Sequence, residues 1–219
     1  MNLTVLNSSG EEVGSVEGSS RVWDAPMNMP LLHQVVVSMQ AALRQGTHDV
    51  KRRGEVNYST RKIRQQKRSG RARLGSRKSP TLVGGGVAHG PHPRDYRQRI
   101  PRKMRRQALR IALSSKLRDN TIKFVDEIAL DGLRVKPLVE LAANLGTGRT
   151  ITLVTGAADR MVHRSARNIP NLSVVPADEL NPLCALKSGS LLIARDAVER
   201  IDELWGREDA AKPEKEAAK

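Results

Sequence analysis

Residues 150–176 read TITLVTGAADRMVHRSARNIPNLSVVP. The opening TITLVTG is rich in β-branched residues and stops at a glycine, which predicts a strand. ADRMVHRSARNI then places Val162, Ala166 and Ile169 at three- and four-residue spacing, a helix with one apolar face. LSVVP closes the unit as a second short apolar strand. A strand, a helix and a strand with short joins make a parallel pair, because parallel strands need a crossover. A sheet built of such units is covered by helices.

The pattern extends in both directions. TIKFVDEI (121–128) reads as a strand, and VKPLVELAANLG (135–146) as a helix with Leu138, Leu141, Ala142 and Leu145 inward. GSLLIA (189–194) is a short apolar strand, and RDAVERIDELWG (195–206) a final helix using Val198, Ile201, Leu204 and Trp205. NLTVLNSSGEEVGSVEG (2–18) predicts two short strands around a turn at Ser8–Gly10. In LLHQVVVSMQAALRQG (31–46), Leu32, Val35, Val36, Met39 and Leu43 mark a helix that follows Pro30 and is closed by Gly46. A second helix starts beside Pro101, with Met104, Ala108, Ala112 and Leu109, Leu113, Leu117 on its apolar side. His33 and His163 fall in these helices, where a partly buried, hydrogen-bonded histidine is the ordinary case. The expected fold class is α/β, a mostly parallel sheet covered by helices. The tail EDAAKPEKEAAK is polar and predicted to be disordered.

Between the two upstream helices neither period holds. RQQKRSGRARLGSRK (64–78) carries seven Lys or Arg and no acid, and six glycines and three prolines follow between Ser69 and Asp95. From Arg44 to Arg106 there are 20 basic residues against Asp49, Glu55 and Asp95, a local charge of +17. The whole chain carries +15, so the remainder is slightly acidic at −2. The electrostatic anomaly belongs to one internal segment. Residues 1–45 and 100–206 are therefore expected to form the α/β domain, with 46–99 a long basic extended arm inserted in it and 207–219 a tail. Structureless loops that long are uncommon unless functional or disordered. Going out and back, the arm reaches at most about 90 Å at ~3.3 Å per residue. Free in water it should repel itself; ordering it requires a densely anionic partner.

A membrane surface would require an apolar face beside the basic one. Val50, Val56, Ile63, Leu74, Leu82, Val83 and Val87 show no helical period, so no membrane partner is expected. Nucleic acid fits better. Aromatics are 2% of the chain, too few to stack a single strand on a sheet. The lone Cys184 excludes a disulfide framework and zinc-finger spacing. What remains is phosphate contact by Arg and Lys, with glycines letting the backbone pass close to RNA.

QQKRSGRARLGSRKSP, GGGVAHGPHPRDY and PRKMRRQALRIALSSKL, in that order, resemble the family of the fourth protein of the bacterial large ribosomal subunit. LLHQVVVSMQAALRQGTHDVKRRGEV, just upstream, is similar to the same family's helix and following loop. The resemblance covers residues 31–205 and is most specific between Gln66 and Tyr96. It implies a structural constituent of the large subunit, cytoplasmic, that binds ribosomal RNA early in assembly. It also implies an arm tip lining the nascent-peptide exit tunnel beside a second protein's loop. The implied partners are large-subunit ribosomal RNA, neighbouring ribosomal proteins including that second tunnel protein, and the nascent peptide. The family's tip reads Gln-Lys-Gly-Thr-Gly-Arg-Ala-Arg; here Lys67, Gly70, Arg71 and Arg73 match, while Arg68 and Ser69 replace the glycine and threonine. The expected exit-tunnel tip is Gln66, Lys67, Arg68, Ser69, Gly70 and Arg71. The expected RNA-binding residues are Arg52, Arg53, Arg61, Arg64, Lys67, Arg68, Arg71, Arg73, Arg77, Lys78, Arg94, Arg97, Arg99, Arg102 and Lys103.

Catalytic signatures are missing. Ser76-Arg77 follows Gly70 and Gly75 where a phosphate-binding loop needs Lys-Ser/Thr, and Ile151 stands where a dinucleotide fingerprint after Gly146 and Gly148 needs glycine. No Gly-x-Ser-x-Gly elbow occurs. His89 and His92 have only Asp95 nearby, so they are expected to face RNA or solvent rather than a metal, and Asp126-Glu127 is a lone acidic pair. No cofactor or metal is expected. The alternative reading is an RNA-modifying enzyme, methyltransferase-like, with a basic RNA-binding insert. It requires a glycine-rich loop after the first parallel strand and an acid closing the next, and neither is found.

Overall fold

The computed structural model describes residues 1–126, 128, 132–148 and 150–206. The expected disordered tail and Glu127 lie outside the described residues. The chain forms two compact units, Met1–Gln40 with Arg99–Lys219, and Ala41–Gln98.

The first unit is α/β. Its elements are β1 (Asn2–Leu6), β2 (Glu12–Glu17), α1 (Ser20–Trp23), α2 (Met29–Ala42), α3 (Arg102–Arg118), β3 (Ile122–Val125), α4 (Lys136–Asn144), β4 (Ile151–Thr155), α5 (Arg160–Ala166), β5 (Leu172–Pro176), α6 (Pro182–Lys187), β6 (Ser190–Ala194) and α7 (Arg195–Trp205). The strands make one sheet in the order β2-β1-β3-β6-β4-β5. All neighbours are parallel except the β1–β2 hairpin at the edge. The strand–helix–strand reading of 150–176 is β4-α5-β5, paired in register from Ile151↔Leu172 to Thr155↔Pro176.

Alternation along the strands feeds two cores. Ile122, Phe124, Val154, Leu191 and Ile193 join Trp23, Val35, Leu109, Leu113, Val198 and Ile201 on one face. Val125, Leu153 and Leu192 join Leu138, Leu141, Leu145, Val162 and Ala166 on the other. A central strand such as β6, SLLIA, thus has to be apolar throughout. Each fully buried Leu or Ile contributes about 1.5–3 kcal/mol by removal from water.

Two polar contacts lock the first face. Ser114, fully buried in mid-α3, donates to the Val22 carbonyl at 2.9 Å and accepts from Ala25 N–H at 2.8 Å. Asp202 on α7 accepts from Ser19 N–H at 2.8 Å and from the indole N–H of Trp23 at 3.0 Å. Burial pushes the Asp202 carboxyl pKa up against the lowering effect of those donors.

Some expectations are corrected here. α2 ends at Ala42, so Leu43 is 77% exposed rather than on an apolar face, and Gly46 does not close the helix. His33 and His163 are exposed, since each sits on the side of its helix away from the buried residues. The short helices α1 and α6 are additional. α6 is started by Asn181, whose side chain accepts from Cys184 N–H at 2.8 Å, with Pro182 in its first turn.

Candidate nucleic-acid interface

In the second unit, residues 43–98 form no helix and no strand beyond one isolated bridge. Glycine and like charge account for that locally. The two limbs are nevertheless paired at intervals from Gly46 and Arg94 to Ile63 and Gly75. Arg94 N–H donates to Gly46 O at 3.0 Å, His92 Nδ1 lies 2.8 Å from Asp49 Oδ1, and Val87 N–H donates to Lys51 O at 2.9 Å. Further along, Gly84 packs under the Tyr58 hydroxyl, Ile63 N–H donates to Gly75 O at 2.9 Å, and Lys62 bridges Ser76. The limbs approach closely enough to demand glycine at two rungs. Gly86 is buried, and a Cβ there would run into the backbone of Arg52 and Arg53. Gly46 has φ +70°, and a Cβ would meet the Arg94 carbonyl.

Tyr96 anchors one end. The Arg44 and Arg94 guanidiniums lie 3.9 and 4.4 Å from its ring centroid, and its hydroxyl is 3.2 Å from His48 Nε2. The hydrogen bond from Arg94, with the charges of Arg94 and Arg44, holds the phenol below its ordinary pKa. Arg77 sits 5.8 Å from the Tyr58 centroid in the same manner.

Of the fifteen residues expected to bind RNA, twelve fall in this unit. Arg99, Arg102 and Lys103 belong to the α/β unit, at the start of α3. Thirteen of the fifteen are exposed; Arg64 and Lys78 are half-buried. Among the described residues none of them is salt-bridged to a carboxylate. The three acids of the segment are engaged elsewhere: Asp49 with His92, Glu55 accepting from Arg52 N–H at 2.7 Å, and Asp95 accepting from Arg97 N–H at 2.8 Å. The cations have been left without intramolecular neutralisation. In the α/β unit, by contrast, Arg118 pairs with Asp24, Arg195 with Asp126, and Arg200 with Asp178 and Glu203.

The six tip residues Gln66 to Arg71 are all exposed. Lys62 Nζ bonds the Gln66 side chain at the base of the turn. Arg68 takes φ +67° and Gly70 φ +61°. Arg68 stands where the resembling family carries glycine, and a left-handed conformation costs an L-residue about 1–2 kcal/mol.

What sequence reasoning passed over is the pinning of the two limbs together by His48, Asp49, Tyr58, His92 and Tyr96. His92, expected to face RNA or solvent, is instead half-buried against Asp49. One signal existed: His48 and Tyr96 lie two and three residues from the two ends of the insertion.

Elsewhere, a cleft of about 820 Å³ opens where β3, β4 and β6 end, lined by Asp126, Asp159, Arg160, Arg195, Asp196 and Glu199 among others. Carboxyl strand ends are the usual ligand position of such sheets. Here Asp159 is committed to capping α5 and Asp126 to Arg195, and no glycine-rich loop borders the cleft. Among the described residues no three His, Cys, Asp or Glu gather as metal ligands, and no helix is long and apolar enough to cross a membrane.

The fold and these surfaces define an α/β protein with a basic insertion whose expected RNA-binding cations have no carboxylate partner among the described residues. The ribosomal protein L4/L1 family matches residues 16–204, and the chain belongs to that family. Among its relatives are proteins named large ribosomal subunit protein uL4. The one from Dehalococcoides mccartyi strain 195 is 40% identical over 94% of this chain and 99% of its own length. Those of Carboxydothermus hydrogenoformans and Desulforudis audaxviator are 41% and 42% identical, covering 92% and 91% of this chain and 98% and 97% of theirs. The chain is a ribosomal protein, and the RNA-modifying-enzyme alternative falls on that ground.

Proposed function

We propose that this chain is a structural constituent of the large ribosomal subunit, in the cytoplasm, and that residues 46–99 are an arm that binds large-subunit ribosomal RNA. The observation that carries the reading is the +17 segment, in which thirteen of the fifteen expected RNA-binding cations are exposed and none is salt-bridged to a carboxylate among the described residues. Packing RNA against itself is opposed by phosphate repulsion. An extended peptide with Arg and Lys on both limbs relieves it from within and releases condensed counterions. The glycine rungs keep the pair of limbs thin, and the Tyr96 and His92–Asp49 pins set their register. The α/β unit supplies Arg99, Arg102 and Lys103 beside the arm in sequence. Gln66, Lys67, Arg68, Ser69, Gly70 and Arg71 form the tip that lines the nascent-peptide exit tunnel, beside another ribosomal protein's loop. Because the arm threads folded RNA, it joins early in subunit assembly, before the RNA closes over it.

The test places a photo-crosslinker at Ser69 in assembled ribosomes carrying a stalled nascent chain. Crosslinks to the nascent chain and to ribosomal RNA are expected. A tip that reacts only with solvent-face components contradicts the reading.

A further inference from the structure

The α/β unit carries a second feature whose chemistry differs from the arm's. Beside the first turn of α3 is a cavity of about 360 Å³ lined by Met39, Leu109, Leu180, Pro182 and Trp205, with Asn181 and Arg102, Arg105 and Arg106 also at the wall. Leu109 and Leu180 are 1% and 3% exposed, so the floor is core-like. Trp205 is held at the end of α7 by Arg110 Nε, which donates to its carbonyl at 2.7 Å. Among the described residues its indole N–H, closed off from solvent, has no hydrogen-bond partner. Arg102 and Arg105 are exposed and stand over the same cavity.

We infer that this cavity takes a single unstacked nucleotide of the bound RNA. The base enters the apolar floor against the Trp205 side chain, while Arg102 and Arg105 hold its phosphate. The inference rests on the RNA-binding reading and adds to it a site that recognises a base rather than the backbone alone. The volume lies at the small end of ligand cavities, roughly 300–1,000 Å³, which suits one nucleotide and not a helix face. Unpaired bases are the part of RNA a protein pocket can read. Charge argues for the same occupant: the rim is cationic and the floor apolar. The chain's own Arg207–Lys219 does not match, since its four cations and four acids cancel and its apolar side chains are only Ala and Pro.

The chain has two tryptophans, so its ¹H–¹⁵N NMR spectrum has two indole cross-peaks. The full-length protein is titrated to about 20 mM with each of the four nucleoside 5′-monophosphates and, separately, with inorganic phosphate; Trp205→Phe assigns the peaks. At least one nucleotide should shift the Trp205 peak saturably. The Trp23 peak, already bonded to Asp202, should stay. Phosphate alone should move neither indole, and Arg105→Ala should weaken the nucleotide response at least about threefold. A Trp205 peak that ignores every nucleotide, that moves as much with phosphate, or that responds equally in Arg105→Ala overturns the inference. Deleting 207–219 should leave the Trp205 peak in place; a shift as large as a nucleotide's assigns the cavity to the tail and overturns it too. A silent Trp205 in a protein that still enters large subunits refutes this site alone, whereas failure to enter refutes the reading beneath it.

Discussion

Replacing Lys67, Arg71 and Arg73 together by Gln removes three exposed cations that have no carboxylate partner among the described residues. Each is therefore free to neutralise one phosphate, and nothing within the protein is stranded by its loss. In an RNA titration the slope of log K against log salt should become shallower by about 2–3 units. Over a fourfold rise in salt, from about 50 to 200 mM, the wild-type advantage should shrink by roughly 20- to 60-fold, since each unit of slope is a factor of four. The assay is fluorescence anisotropy with labelled large-subunit ribosomal RNA at several KCl concentrations. Arg118→Gln is the control: Arg118 is already bonded to Asp24 and to the Ala25 carbonyl, so its loss should leave the slope alone. If the triple variant changes the slope by less than one unit, or Arg118→Gln changes it as much, exposed arm cations are not the phosphate contacts.

Three further expectations concern the α/β unit and a fourth the arm. Asp202→Ala strands the Ser19 N–H and the indole of Trp23, which is 1% exposed; at about 1–3 kcal/mol per stranded donor, the melting temperature should fall by several degrees. Because burial raises the Asp202 pKa above the ordinary 3.8, the folded chain holds that proton more tightly than the unfolded chain. Its stabilisation is then complete below about pH 4 and lost as pH rises through the raised value, a slope that Asp202→Asn should abolish in thermal melts. Ser114→Ala leaves the Ala25 N–H and Val22 carbonyl unpaired in the core and should cost about 1–3 kcal/mol in denaturant unfolding, while Ser114→Thr, which keeps the hydroxyl, should cost less. Gly86→Ala should push the limbs apart, so the Val87 amide, bonded to Lys51 O, should lose protection from hydrogen exchange; unchanged protection contradicts the close approach.

The parallel sheet was legible because its strands are short apolar runs and its helices bury one periodic stripe, as in 150–176. What escaped was whatever periodicity does not encode. α1 and α6 are one or two turns, shorter than the repeat needed to see a face, and α6 is announced only by Asn181-Pro182. Leu43 looked like a further apolar step of α2, but the helix stops one residue earlier. In the insertion, charge counting isolated the segment but not how its limbs pair. That pairing depends on contacts 36 to 48 residues apart, such as Val87 with Lys51, His92 with Asp49 and Tyr96 with His48. The cavity under Arg102 and Arg105 joins α2, α3 and α7 with the Leu180–Pro182 segment, a convergence that no single stretch of sequence displays.

The most direct measurement is incorporation. Tagged full-length protein, a form with 46–99 replaced by a short Gly-Ser linker, and a full-length form with the arm's Lys and Arg changed to Gln are each expressed in growing cells. Their lysates are then sedimented at high salt. The full-length protein should be recovered stoichiometrically with the large subunit, and both altered forms should be depleted from it. Equal, salt-resistant recovery of all three would show that the arm's charge does not hold this protein to ribosomal RNA.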